Sequence, residues 1–163
     1  MSKSVVLVPF PEVAEFVEPW MERTCPNSKP SRGIPAHVTL LYPAPGDADD
    51  VARVLDGVAA FDVTFEETAR FDDILYLVPS PQASFVHMTQ ALVRRFPNWP
   101  PYAGKFDGII PHLTVAQADA ATLDAAERDV VPHLPVRARA RHAVMLTEVE
   151  PRRWELQATF AFA

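Results

Sequence analysis

Proline decides where regular structure can run in this chain. There are 17 in 163 residues, about twice the usual ~5%. Each one fixes φ and removes a backbone donor, so a proline tends to end a strand or break a helix. They are not spread evenly. Pro26, Pro30 and Pro35 fall in residues 24–35, and Pro97, Pro100, Pro101 and Pro111 in residues 97–111. Both stretches read as long loops. Each delivers the chain to a histidine at the head of a strand-like segment, at His37 and at His112.

Between the loops, strand and helix patterns alternate. Ser4 to Val8 predicts a short buried strand ended by Pro9. Over residues 11–23, Val13, Phe16, Val17, Trp20 and Met21 form one apolar helical stripe, with Pro19 expected to kink or break it. A strand is expected over Ala36 to Tyr42. A helix follows, opened by Asp47, Asp49 and Asp50, whose charges suit a helix N-terminus. Strands near 61–69 and 74–78, a helix over 82–96, a strand from His112 to Gln117 and a helix over 120–131 with Asp119 as N-cap come next. The chain closes with strands near 136–148 and 153–162. In the last of these Trp154, Leu156, Ala158, Phe160 and Phe162 alternate as one expected buried face.

This is an α+β pattern with a mostly antiparallel sheet, in one domain spanning 1–163. It also looks duplicated, because His37 and His112 each begin a strand–helix–strand–strand series. A single cysteine, Cys25, excludes a disulfide framework or a Cys-based zinc module. The longest apolar run, Val5 to Phe10, is too short to span a bilayer, and no secretory cleavage pattern is present. The expectation is a cytoplasmic monomer with no membrane contact. Net charge is −6, which argues against an extended nucleic-acid surface. Residues 1–93 carry 6 Lys/Arg against 13 Asp/Glu, and residues 94–163 carry 9 against 8, so an anion would more easily draw on the second part.

The chemistry lies in two matching segments, His37-Val38-Thr39-Leu40 and His112-Leu113-Thr114-Val115. Side chains alternate faces along a strand. His37 and Thr39 therefore share one face while Val38 and Leu40 enter the core, and the second segment behaves alike. If the two lobes pack face to face, two imidazoles and two hydroxyls converge. Such a set suits phosphodiester chemistry. With an unperturbed pKa near 6.5, one ring can be neutral and take a proton while the other, protonated, gives one to a leaving oxygen. The threonines can hold non-bridging phosphate oxygens. No metal is required. His87-Met88-Thr89 has the same spacing but lies in a helical stretch, where i and i+2 do not share a face. His133 and His142 have no comparable context.

The paired motifs resemble the two signatures of the 2H phosphoesterase superfamily, which includes 2′-5′ RNA ligase-like proteins and cyclic phosphodiesterases. The resemblance extends to chain length, element order, the 75-residue motif spacing and Pro111 before the second histidine. It implies a bilobal, pseudo-twofold fold with antiparallel sheets lining a central cleft and helices outside. It also implies cofactor-free, metal-independent hydrolysis of 2′,3′-cyclic phosphates or related nucleotide phosphodiesters. There is one departure. Ligase-branch members often carry a basic residue where this chain has Gln117, which weighs against RNA-end specificity and for a smaller phosphodiester.

His37 and His112 are thus the expected catalytic pair and Thr39 and Thr114 the phosphate ligands. Lys105 and Arg32, in the two loops, are candidate phosphate partners, and Tyr102 and Trp99 candidate base-stacking residues. Tyr42 should point away from His37 if its strand stays regular. Arg137, Arg139 and Arg141 form a basic stripe read as an exposed sheet face. Three alternatives stand beside the hydrolase: a non-catalytic nucleotide or RNA-end binding module, a 2′-5′ RNA ligase, and a metal hydrolase using the two histidines as ligands.

Overall fold

The computed structural model describes residues 3–104 and 109–163. Among these residues, eight strands and four α-helices follow in the order β1 (Ser4–Pro9), α1 (Ala14–Thr24), β2 (His37–Ala44), α2 (Ala48–Leu55), β3 (Phe61–Phe71), β4 (Ile74–Ser80), α3 (Ala83–Arg95), β5 (Leu113–Gln117), α4 (Ala120–Val130), β6 (Val136–Ala140), β7 (His142–Glu150) and β8 (Arg153–Ala161). The strands form one antiparallel sheet ordered β6-β3-β4-β5-β2-β1-β7-β8. Its midline is the β5–β2 pair, so four strands lie on each side. A pseudo-twofold there exchanges β5 with β2 and β4 with β1. The α+β, pseudo-twofold expectation holds.

Helix ends follow from local chemistry. The Asp47 carboxylate accepts from the Asp50 amide at 3.0 Å and opens α2, and Asp119 does the same for Thr122 at 2.8 Å to open α4. Pro19 does not break α1, which runs through it. The apolar stripe outweighs the lost backbone bond, with Val17, Trp20 and Met21 buried. The Trp20 indole also donates to Asp129 of α4 at 2.8 Å.

Three further expectations are corrected. The strand drawn over 136–148 is two strands. β6 pairs with β3, and after Arg141 the chain enters β7, which pairs with β1 and β8. A single residue can span only a few ångströms, so the outer strands must meet and the sheet must curl. The seam is hydrogen-bonded: the Ala60 amide donates to the Ala163 carbonyl and the Ala163 amide to Val58, both at 2.8 Å. The duplicated series also ends in different neighbours, since β3 pairs with the following β4 whereas β6 pairs back onto β3. Finally, β8 has no single buried face. Met145 pairs with Ala158 but Leu146 with Leu156, so Gln157 is an extra residue that reverses the alternation. Trp154 and Leu156 therefore face opposite to Ala158 and Phe160, and Leu156 is 62% exposed.

The loop before β2 is held against β8 by a close approach. Gly33 has φ +98° and a Cβ there would sit 2.2 Å from the Trp154 carbonyl oxygen. Both the left-handed backbone and the contact require glycine. Gly33→Ala should therefore cost at least about 2 kcal/mol, read as a lower urea midpoint; an unchanged midpoint would contradict this packing.

Candidate active site

The two motifs meet by strand pairing, side by side in one sheet rather than face to face. Val38 and Leu113 are antiparallel partners across the midline. That register sets His37 opposite Thr114 and Thr39 opposite His112. Val38 and Leu113 are fully buried on the other face. All four polar residues line one recess of about 310 Å³, together with Tyr42, Tyr102 and Gln117. A second, more apolar recess of about 280 Å³ adjoins it and shares Thr39, Tyr42, Tyr102 and His112.

Two matched irregularities shape the site. In β2, Leu7 pairs with Thr39 but Val6 with Leu41, leaving Leu40 as an extra residue. In β5, Tyr76 pairs with Thr114 but Leu75 with Ala116, leaving Val115 extra. Each bulge reverses the alternation just after the motif. Two successive residues, Leu40 and Leu41 or Val115 and Ala116, are then buried, and the next one returns to the recess. This corrects the expectation for Tyr42, which joins the His37 face with its ring 6.3 Å from Tyr102 and 6.2 Å from Trp154. Gln117 is its counterpart, and its amide donates to Asp73 at 3.3 Å. Buried Thr89 of α3 donates to the Leu40 carbonyl at 2.6 Å. The hydroxyl of Thr24, the last residue of α1, accepts from the Gln117 backbone N–H at 3.1 Å.

Both imidazoles are held alike. Nδ1 of His37 lies 2.7 Å from the Pro35 carbonyl and Nδ1 of His112 lies 2.8 Å from that of Ile110. A carbonyl only accepts, so each Nδ1 carries the proton and each Nε2 is the acceptor nitrogen of the neutral ring. Nε2 of His37 lies 3.1 Å from Thr39 Oγ1, which also shares a hydrogen bond with the Tyr102 hydroxyl. His112 sits among rings: Phe71 edge-on at 5.2 Å, Tyr76 at 5.6 Å and Tyr102 stacked at 6.5 Å. Burial lowers the pKa of both histidines. His37 falls to about 4, with the neighbouring His112 adding to the fall and the Pro35 bond opposing it. His112 is also lowered by burial, against its Ile110 bond. Burial raises the Tyr102 hydroxyl. The free site thus holds two neutral rings near pH 7, where the sequence suggested one neutral and one charged.

The other expected residues are dispersed. Arg32 is exposed on the turn Pro30–Arg32 and lies outside the recess, near Glu22, whose carboxyl it helps to lower after the Ser31 and Lys29 contacts. Trp99 packs on the core edge. Lys105 lies outside the described residues. His87 is exposed on α3 as expected. His133 stacks on Phe16 at 4.5 Å. Arg137, Arg139 and Arg141 are exposed, with Arg139 bonded to Asp62 and Arg141 near Glu12. Among the described residues no group of three or more His, Cys, Asp or Glu gathers to hold a metal ion, and no helix is long and apolar enough to cross a membrane. Sequence reasoning missed Lys3, Asn27 and Arg152 at the recess mouth. Asn27 lies in the loop before His37 with nothing but polarity to mark it, and Lys3 and Arg152 showed only charge in segments far from either motif.

An antiparallel sheet with a motif on each side of a pseudo-twofold, presenting two imidazoles and two hydroxyls, defines the 2H phosphoesterase class. Residues 9–152 match the model of the 2′-5′ RNA ligase superfamily, and the chain belongs to that family. No curated protein matches it. Among solved structures it is similar to Escherichia coli LigT complexed with NADP+ (17% identity, TM-score 0.61, covering 99% of this chain and 98% of that one). It is also similar to a phosphoesterase (16%, 0.63, 100% and 99%) and to TT0787 of Thermus thermophilus (17%, 0.62, 98% and 97%). At these identities the likeness establishes the fold.

The depressed His37 pKa has a consequence for stability. Above pH 6.5 the ring is neutral whether folded or unfolded. As pH falls from 6.5 towards 4 the unfolded chain takes up the proton and the folded one does not, so stability declines across that window. The loss is on the order of 3 kcal/mol. His37→Gln should flatten the decline, measured by denaturation at several pH values; an equally steep decline in the variant would assign it to other groups.

Proposed function

We propose that this protein is a metal-independent phosphodiesterase that opens a 2′,3′-cyclic phosphate or a related nucleotide phosphodiester. The observation that carries the reading is the pairing of two His-x-Thr strands, which brings two imidazoles and two threonines to line one recess. A phosphate seated between them meets a base on one side, an acid on the other, and hydrogen-bond donors for its non-bridging oxygens. Nucleotide ligands are consistent with this, since LigT has been crystallised with 3′-AMP, NADP+ and ATP.

The two rings differ in burial and surroundings, and that difference supports a division of roles. His37, with its pKa near 4, stays neutral, and its Nε2 takes a proton from the attacking water. The water oxygen bonds to phosphorus as the bond to the ribose oxygen breaks. His112, protonated once the anionic substrate arrives, gives its Nε2 proton to that ribose oxygen. The product is a phosphomonoester, and the two rings exchange protons with solvent to reset. Thr39 and Thr114 donate to the phosphoryl oxygens, where negative charge is held during the step.

Two measurements test this. His37→Ala and His112→Ala should each lower kcat on nucleoside 2′,3′-cyclic phosphates by about 10²- to 10⁴-fold with unchanged circular dichroism; near-normal kcat in either variant would remove that histidine from the chemistry. The kcat/KM profile reports the free enzyme. It requires His37 neutral and His112 protonated, and both are lowered from 6.5, so its optimum should lie on the acid side of pH 7. An optimum at pH 8 or above would contradict the assignment.

A further inference from the structure

The catalytic recess does not end at the His–Thr quartet. It continues outward past Asn27 to Lys3, Glu148 and Arg152, and the same four residues border a wider, shallower depression of about 570 Å³. The site therefore opens onto a shelf with two cations at its edge. Gln117, at the position after the second bulge, brings no charge of its own and is bonded to Asp73.

The shelf is built by packing that begins elsewhere. Arg152 sits in the turn between β7 and β8 with φ +63°, a conformation uncommon for a residue with a side chain. Its amide donates to Glu148 at 2.8 Å, which holds the turn. The Gly33 approach fixes the start of β8 against the loop that carries Asn27. Lys3 is fixed by its carbonyl, which accepts from the Glu148 amide at 2.8 Å. Two carboxylates lie in the same neighbourhood. Glu148 is engaged by the Arg152 amide, and Glu150 lies 3.8 Å from Arg153. Among the described residues, neither the Lys3 ammonium nor the Arg152 guanidinium lies within ion-pair distance of a carboxylate.

We infer that Lys3, Asn27 and Arg152 form a subsite for a second phosphate, so that the preferred substrate carries a phosphomonoester or diphosphate group beyond the diester that is opened. The inference rests on the phosphodiesterase reading for its reaction. The subsite itself is a binding claim. A planar guanidinium, an ammonium and an amide together supply the donors that a phosphate accepts. They lie on the half of the sheet that carries β1, β7 and β8, outward from the quartet. A nucleoside cyclic phosphate seated with its diester on the quartet would direct its 5′ end along the recess.

The test compares adenosine 2′,3′-cyclic phosphate with its 5′-phosphorylated form. The wild type should show about a tenfold higher kcat/KM for the second, carried by KM and shrinking as salt rises. Arg152→Gln and Lys3→Gln should each draw that ratio towards one, while Arg137→Gln on the distant sheet edge leaves it unchanged. A wild-type ratio near one, or a ratio insensitive to both shelf variants, overturns the subsite. Hydrolysis of neither compound would count against the phosphodiesterase reading alone. The subsite is then decided by calorimetry with 3′-AMP and adenosine 3′,5′-bisphosphate: tighter binding of the bisphosphate, abolished by Arg152→Gln, supports it, and equal affinity refutes it.

Discussion

One cross-strand pair, Val38 with Leu113, sets the geometry of this molecule. The pair is short, but it joins the two halves of the sheet and fixes which residues of the two motifs lie opposite each other. A slip of one residue would turn a histidine and a threonine from the recess into the core. The register is protected because the apolar partners, Val38 and Leu113, are wholly buried. The hydrophobic effect thus holds the polar quartet in place from behind, without asking the quartet to contribute to stability.

That arrangement explains the electrostatics. A ring seated in a sheet and covered by Tyr102, Phe71 and Tyr76 loses solvation, and the charged form suffers most. Each Nδ1 is answered by a carbonyl just upstream, supplied by the proline-rich loop that leads into the strand. The loops therefore do more than connect. They fix the tautomer, and both rings line the same recess.

Much of this is legible in the chain. Alternation assigns His37 and Thr39 to one face, the paired motifs point to two similar lobes, the family resemblance implies the pseudo-twofold, and the helical setting of His87 sets that histidine aside. What cannot be read is register. The extra residues Leu40, Val115 and Gln157 are ordinary apolar or polar side chains with no glycine to mark them, and a bulge is visible only against its partner strand. For that reason simple alternation puts Tyr42 on the wrong face and gives β8 one continuous apolar side. The split between β6 and β7 is hidden for a similar reason. Arg141 continues the alternating pattern, and only the choice of partners, β3 for one and β1 for the other, breaks the strand. Lys3 and Arg152 reach the recess through tertiary packing of segments that share no motif.

The threonines beneath the two bulges have a consequence for how the chain acquires its structure. Thr89 belongs to α3, between β4 and β5, yet it braces β2; Thr24 belongs to α1, between β1 and β2, yet it braces β5. Each helix closes over the motif strand of the opposite half of the sheet. Each motif strand pairs within its own half, but the bracing of its bulge comes from residues 49 and 93 positions away. Closing such long loops costs chain entropy, and the two bonds make the order of each motif strand depend on a helix of the other half.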